Sequence, residues 1–450
     1  MNISKKFLGF VIIIVLITFV AAQDGGVAAV DDSVSILPLR ERAQVMNSWL
    51  KWRLDNIVPQ LMRREGIDMW LVVNREYNED PVYMSMMPEP TMNARRTSIL
   101  MFFDHGSEKG VERLSGSYYG SRGWYKGTWT DKKLRQFDSL AGVIKKLDPK
   151  KIAINASTTW RFGDGLTVGL KKKLDKALGP DLTSRYVSAE NLCVGWLETR
   201  SPEEKSVYRH ICGIAHDIIR EFFSNRVITP EITTTDDVVW WIRQKILDLG
   251  LKTWFQPSIS IQRDNRLAGK YEDNPSVIRR GDLLHCDVGI TYLGLCTDMQ
   301  WHAYVCHSDE DDAPEGMKKA LLRAVKVAEI FMNEFEEGRT GNEITDSSME
   351  KATSAGLRPL LYTHPLGIHG HAAGPPMDAR PVDRAPEDIR LNMRYPLYPD
   401  TAYSIEFSST SSFPEWGGQD IRIAYEEDAI FTIKGCRWID GCQTKLLLIK

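Results

Sequence analysis

Two aspartates, Asp287 and Asp298, flank the turn-like "TYLG" in the β-rich stretch "GDLLHCDVGITYLGLCTDMQWHAYV" (281–305). A regular hairpin centred between Tyr292 and Leu293 would set them directly opposite on one face, with Cβ atoms about 5 Å apart. Two ionised carboxylates so placed repel each other unless a cation lies between them. Solvated surface aspartates are the ordinary alternative, but the neighbours Leu284, Val288, Ile290 and Leu295 are apolar. A second acidic pair follows: Glu406 inside the otherwise uncharged "DTAYSIEFS" (400–408), and Glu426 in "QDIRIAYEEDAIFT" (419–432). Period-two alternation puts Arg422, Ala424 and Glu426 on one face of that strand and Glu427 on the other. The segment "THPLGIHGHAAGPPMD" (363–378) adds His364, His369 and His371, three of the nine histidines in the chain.

Carboxylates with one imidazole and no thiolate form a hard donor set. It suits a pair of divalent ions, manganese first, with iron, cobalt or zinc as alternatives. Two such ions a few ångströms apart would hold a bridging water, lower its pKa and polarise a carbonyl. Five other histidines have structural readings: His285, His302 and His307 in or after the sheet, His210 and His216 on a helix. Trp240-Trp241 reads as core or cleft wall, and the lysine run 171–173 as a solvated helix face.

The elements that must carry these residues fall into two regions. In "RAQVMNSWLKWRLDNIVPQLMRREGIDMWLVVN" an amphipathic helix ends at Gly66 and a buried strand follows. "TSILMFFD" (97–104) and "KIAINAS" (151–157) read as strands and "TVGLKKKLDKAL" as a helix, so 36–195 forms an α/β domain. From "SPEE" (201–204), an N-cap with acids in the first turn, a second domain runs over 200–450. Within it, "VITPEITTTDDVVWWI" (227–242) and "FEEGRTGNEITDSSMEKA" (335–352) echo each other, each a turn that caps a helix with long strands after it. Two such halves suit a pseudo-symmetric α+β domain with a cleft between them.

The formal net charge of -3 gives no reason to expect nucleic-acid binding. Residues 1–22 carry two lysines, an apolar run from Phe7 to Val20 and Ala21-Ala22, the layout of a cleaved signal peptide. An exported protein, periplasmic or secreted and free of the membrane after cleavage, is expected. The seven cysteines form no CxxC; Cys436 and Cys442 are close enough to close a small loop. Asn155 opens an Asn-Ala-Ser sequon.

Taken together, GDLL-x-x-D-x-G, the second Asp eleven residues on, GH-x-x-G, the Ser-Ile-Glu strand and the Ile-Arg-Ile strand resemble the pita-bread metallopeptidases. These are the aminopeptidase P, prolidase and methionine aminopeptidase group. The likeness covers about 200–435; more weakly, 36–195 resembles the smaller N-terminal domain of the aminopeptidase P, prolidase and creatinase branch. The resemblance implies a metal set of Asp287, Asp298, His371, Glu406 and Glu426, with Glu427 as the alternative last ligand. It also implies that Glu406 handles protons and that Arg422 orders the ligand carboxylates.

Three positions depart from the family pattern: Lys270, Gly367 and Asp378 stand where the aminopeptidase P and prolidase branch has histidines that contact substrate. His369 and His364 are the candidate replacements, His369 on the assumption that it shares a strand face with His371. The implied function is a dinuclear aminopeptidase that removes the N-terminal residue from short peptides, Xaa-Pro above all, as a homo-oligomer. The alternatives are a metal-free creatinase-like amidinohydrolase and a catalytically silent or altered-specificity binding protein on the same fold.

Overall fold

The chain's structure, a computed structural model, describes residues 35–119, 123–271, 273–381 and 387–450. The expected signal peptide lies outside them. No helix among the described residues is long and apolar enough to cross a membrane.

A helix at Leu39–Arg64 buries Leu50, Leu54, Ile57, Val58 and Leu61, a stripe at helical spacing. Gly66, at φ +61°, turns the chain into the first strand. Six strands form the first sheet: β1 (Met69–Arg75), β2 (Thr97–Asp104), β3 (Val111–Ser115), β4 (Lys126–Gly127), β5 (Ile152–Ile154) and β6 (Tyr186–Ser188). Their order is β4-β3-β2-β1-β5-β6. β1 and β2 are antiparallel, whereas β1, β5 and β6 run parallel through helical crossovers, as an α/β reading requires.

Asn155 is 1% exposed at the end of β5, where it accepts from Trp70 Nε1 and donates to Asp80 Oδ2, each at 2.8 Å. The sequon is therefore closed in the folded chain.

Beyond it come β7 (Lys252–Thr253), β8 (Ser258–Gln262), β9 (Leu283–Val288), β10 (Ile290–Tyr292), β11 (Leu295–Cys296) and β12 (Met299–Val305). Then follow β13 (Pro359–Leu366), β14 (Met377–Asp378), β15 (Thr401–Ser412), β16 (Asp420–Thr432), β17 (Gly435–Trp438) and β18 (Leu447–Ile449). The large sheet runs β14-β13-β15-β16-β12-β9-β8, with β17 beside β16 and β18 beside β12.

Its two halves repeat one plan. Capping boxes open the helices Thr235–Asp248 (Thr234 with Asp237) and Gly341–Ser354 (Thr340 with Glu343). Three-strand sets β8-β9-β12 and β13-β15-β16 then meet along the β12–β16 seam. The echo in the sequence is thus a repeat of helix, cap and sheet, and the fold is α+β as expected.

The hairpin differs from its expected form. Tyr292 pairs with Leu295, and Leu293 and Gly294, at φ +53° and +74°, make the two-residue turn. The centre lies one residue later than a turn around Tyr292-Leu293 would put it, so Asp287 faces Gln300 rather than Asp298. The ribbon also breaks at Gly289, where a Cβ would come within 2.3 Å of Trp254 Nε1 and 2.4 Å of the Thr297 carbonyl oxygen. β10 and β11 leave the main sheet there and pair with β7 in a three-stranded one. Trp240 also departs from its reading, being 60% exposed. All seven cysteines are free thiols, Cys436 and Cys442 included.

Candidate metal centre

One row of side chains crosses the seam. Asp287 on β9 is opposite Gln300 on β12, Gln300 is opposite Glu426 on β16, and Glu426 is opposite Glu406 on β15. Directly paired residues project to the same side of a sheet, so the register alone delivers three carboxylates and an amide to one patch. Asp298, just before β12, joins them; its backbone N–H donates to Asp428 Oδ1 at 3.2 Å.

Across the acids stands His364 of β13. Its Nε2 lies 3.4 Å from Asp298 Oδ2, 3.5 Å from Glu426 Oε1 and 3.9 Å from Glu406 Oε2. Its Nδ1 donates to the Pro365 carbonyl at 2.9 Å, which fixes the ring and aims Nε2 at the carboxylates. Asp298, His364 and Glu426 each offer a ligand atom within 4.8 Å of the others.

Gln300 Nε2 donates to Glu406 Oε1 at 2.7 Å and to Glu426 Oε2 at 2.6 Å. Ser404 Oγ donates to Glu426 Oε1. Three polar atoms here are buried without a hydrogen-bond partner: Asp287 Oδ1, Asp298 Oδ1 and His364 Nε2. Burying charged oxygens without compensation costs several kcal/mol or more, and a cation placed among them removes that cost. The donor set therefore fits divalent metal.

The electrostatics agree. Burial, then Glu426, pushes the Asp287 carboxyl up to about 8. Burial and Glu426 drive Asp298 and Glu406 well above the usual carboxylate range. Burial opposes charge on His364, but Glu426 and Glu406 outweigh it and lift the imidazole to about 9.

His371 sits one ring back, its centroid 4.6 Å from that of His364 at 87°. It was the imidazole expected among the acids; here His364 holds that position. The reason is local: β13 ends at Leu366, and 367–371 is a run of bends. His369 and His371 therefore share no strand face. The His369 ring lies against Phe162, with centroids 4.9 Å apart and planes tilted by 31°.

Arg422 is exposed and makes no ion pair with these acids among the described residues; its backbone N–H donates to Gln262 Oε1 at 2.9 Å. Alternation puts its Cα on the Glu426 face, but two pairs nearer the strand end. Glu427 faces the other side of the sheet, taking 2.6 Å, 2.7 Å and 3.0 Å contacts from Trp301 Nε1, the Gln443 N–H and His216 Nε2.

The cluster opens into a cavity of about 350 Å³ between the 160–162 segment and β13, lined by Trp160, Arg161, Phe162, Tyr362, His364 and His371. With His364 in the ligand place, the positions seven after and four before it are His371 and Leu360, so of the three expected departures Lys270 alone stays one and Gly367 and Asp378 do not. Lys270 is exposed, its Nζ 5.3 Å from the Tyr271 ring centre. A Cβ at Gly367 would lie 3.2 Å from Arg200 Cζ, so a side chain there needs that buried guanidinium to give by a few tenths of an ångström. Asp378 is bound by Arg380, whose Nη2 meets Oδ2 at 2.6 Å and whose guanidinium covers the Tyr362 ring at 4.3 Å.

Gln300, Tyr362, Arg380 and Asp428 were not among the residues singled out in the sequence. Gln300 and Arg380 were within reach of it: each lies two residues after a highlighted aspartate, hence on the same strand face or turn.

The family model for metallopeptidase family M24 matches residues 206–433. A methionine aminopeptidase of Thermococcus onnurineus (strain NA1) is 26% identical over 148 residues, which are 33% of this chain and 46% of that protein. The match thus spans less than half of the relative's length. Among solved structures, X-Pro aminopeptidase from Thermotoga maritima MSB8 is similar at TM-score 0.59 and 16% identity, covering 86% of this chain and 99% of that one. A dipeptidase from Pyrococcus horikoshii OT3 is similar at TM-score 0.57 and 18% identity, covering 88% and 100%. At these identities the structural likeness speaks for the fold.

Proposed function

We propose, for a chain that belongs to metallopeptidase family M24, that it is an exported aminopeptidase using two divalent ions to release the N-terminal residue of short peptides, Xaa-Pro above all. The observation that carries this reading is the convergence of Asp298, Glu406, Glu426 and His364, with unpartnered buried atoms, at the end of a peptide-sized cavity. The X-Pro specificity of the T. maritima relative favours the same substrate class. Manganese is the first candidate for the metal. Residues 36–195 and 200–450 serve as N-terminal and catalytic domains, and a homo-oligomer is the proposed assembly.

Asp287, Asp298, Glu406, Glu426 and an imidazole would hold the metal, with His364 the nearer ring and His371 the alternative. When bound, the ions supply a Lewis acid and an acidified water. The side chains do the rest. Glu406, its carboxyl raised by burial and by Glu426, takes the proton of the attacking water and returns it to the leaving amine nitrogen. His371, held neutral because burial and the adjacent His364 lower it to about 4, can donate a hydrogen bond to the reacting carbonyl oxygen. Trp160, Phe162 and Pro365 line an apolar wall that suits a proline ring and excludes water.

A peptide-panel assay with added manganese, with metal content determined alongside, tests the reading. Hydrolysis of Xaa-Pro peptides is expected. A protein that binds manganese but cleaves nothing would support the second reading, a binding protein of altered specificity. The exposed Lys270, at a position where the family has a histidine, favours that alternative. The metal-free amidinohydrolase loses ground to the complete set of acids.

A further inference from the structure

We infer that Trp254 is the positioning residue that sets His371 at the cavity, by gripping the backbone of the loop that carries it. The inference rests on the proposed role of His371 as a donor to the reacting carbonyl. That loop leaves β13 at Leu366. It is tied at its two ends: the Cys296 N–H donates to the Gly367 carbonyl at 2.8 Å, and the Ala372 N–H to the Pro365 carbonyl at 3.0 Å. The His371 side chain makes no hydrogen bond to the described residues. Two ring contacts orient it instead: His364, with centroids 4.6 Å apart at 87°, and Trp254, at 5.4 Å and 75°.

Trp254 meets the loop backbone as well. A Cβ at Gly370 would lie 2.3 Å from Trp254 Cε2 and Cζ2 and 2.4 Å from Cδ2, so the chain just before His371 rests directly against the indole. The ring is fixed from its other side: Nε1 donates to the Thr297 carbonyl at 2.9 Å, and Phe255 packs beside it with centroids 4.5 Å apart. Thr297 precedes Asp298, so one indole joins the segment before a proposed ligand to the loop that presents the donor. Trp254 does not line the cavity, so it bears on substrate through what it holds. A misplacement of about 1 Å at such a group is enough to cost about a hundredfold in rate.

Kinetics of the full chain on an Xaa-Pro tripeptide with manganese test this, with thermal melting to confirm that each variant folds. Trp254→Ala is expected to lower kcat by about tenfold to a hundredfold, with KM and manganese uptake within about threefold. Trp254→Phe keeps a ring against Gly370 and His371 and should recover most of the loss. Gly370→Ala, whose methyl must push the loop off the indole, should reproduce the loss by a second route. Adding Trp254→Ala to His371→Ala should cost nothing further, whereas losses that multiply would overturn the inference. Carbon-13 spectra of histidine-labelled protein read the placement without turnover, the His371 signal being assigned by its loss in His371→Ala. That signal should shift and broaden in Trp254→Ala and stay near its place in Trp254→Phe. An unmoved signal in folded Trp254→Ala and Gly370→Ala would overturn the inference whether or not peptides are cleaved. A moved signal in a chain that cleaves nothing would uphold the positioning and sink the aminopeptidase reading.

Discussion

Glu406 and Glu426 face each other across adjacent antiparallel strands, and a single amide, that of Gln300, binds both. Like charges directly opposed in a sheet destabilise it unless something between them compensates. Here an amide, an imidazole and, in the proposed function, metal share that task.

The two adjacent glutamates should therefore behave differently. Glu426→Gln is expected to abolish manganese uptake and lower kcat/KM by about a hundredfold or more. Glu427→Gln should keep metal binding and instead lower stability by about 1–3 kcal/mol, because it disturbs the His216, Trp301 and Gln443 contacts. Calorimetry and urea melts on the two variants separate these outcomes.

His364 and His371 can be ranked in the same way. His364→Ala is expected to weaken manganese binding by about tenfold or more, with a smaller effect of His371→Ala on binding and a larger one on kcat. The reverse order in a direct metal titration would return the ligand role to His371.

A histidine introduced at position 367 should crowd the chain around Arg200. A Cβ there meets Arg200, which is itself fully buried, so Gly367→His is expected to lose about 1–3 kcal/mol to overpacking. A chemical denaturation curve at wild-type stability would refute the clash.

Arg380 holds the 3% exposed side chain of Asp378. Arg380→Met leaves that carboxylate buried without its partner and should cost about 3 kcal/mol. The double variant Asp378→Asn with Arg380→Met should recover part of it, measured by the same melts.

Glu198 offers a pH test away from the acids. Burial lifts its carboxyl to about 8, against the influence of Arg64 and Tyr395, and its Oε2 has no partner. A folded-state value above the unfolded one means the folded chain binds the extra proton. Its contribution is full below about pH 4.5 and is lost as pH rises through about 8. Glu198→Gln should flatten that decline and be the more stable form at pH 8 by about 1–3 kcal/mol.

Much of this was legible from the chain alone, for identifiable reasons. Strand alternation set Glu426 and Glu427 on opposite faces, and the caps at Ser201, Thr234 and Thr340 marked three helix starts. What escaped depended on backbone details that residue types do not encode. Leu293 accepts a left-handed turn position usually left to glycine or asparagine, which moved the hairpin register by one and put Gln300 opposite Asp287. The bends after Leu366 swapped the positions expected of His364 and His371. Gln300 went unnoticed because an uncharged amide carries no signal until its neighbours across two strands are known.

The seam between β12 and β16 has a temporal consequence as well. Gln300 and Glu426 are 126 residues apart, so the centre closes only through a long-range pairing, the slow kind in folding. Asp287 and Asp298 emerge in synthesis before Glu406 and Glu426, with nothing yet to complete them. A peptidase assembled this way has no cutting centre while its own chain is still extended, and acquires one only once both halves have docked.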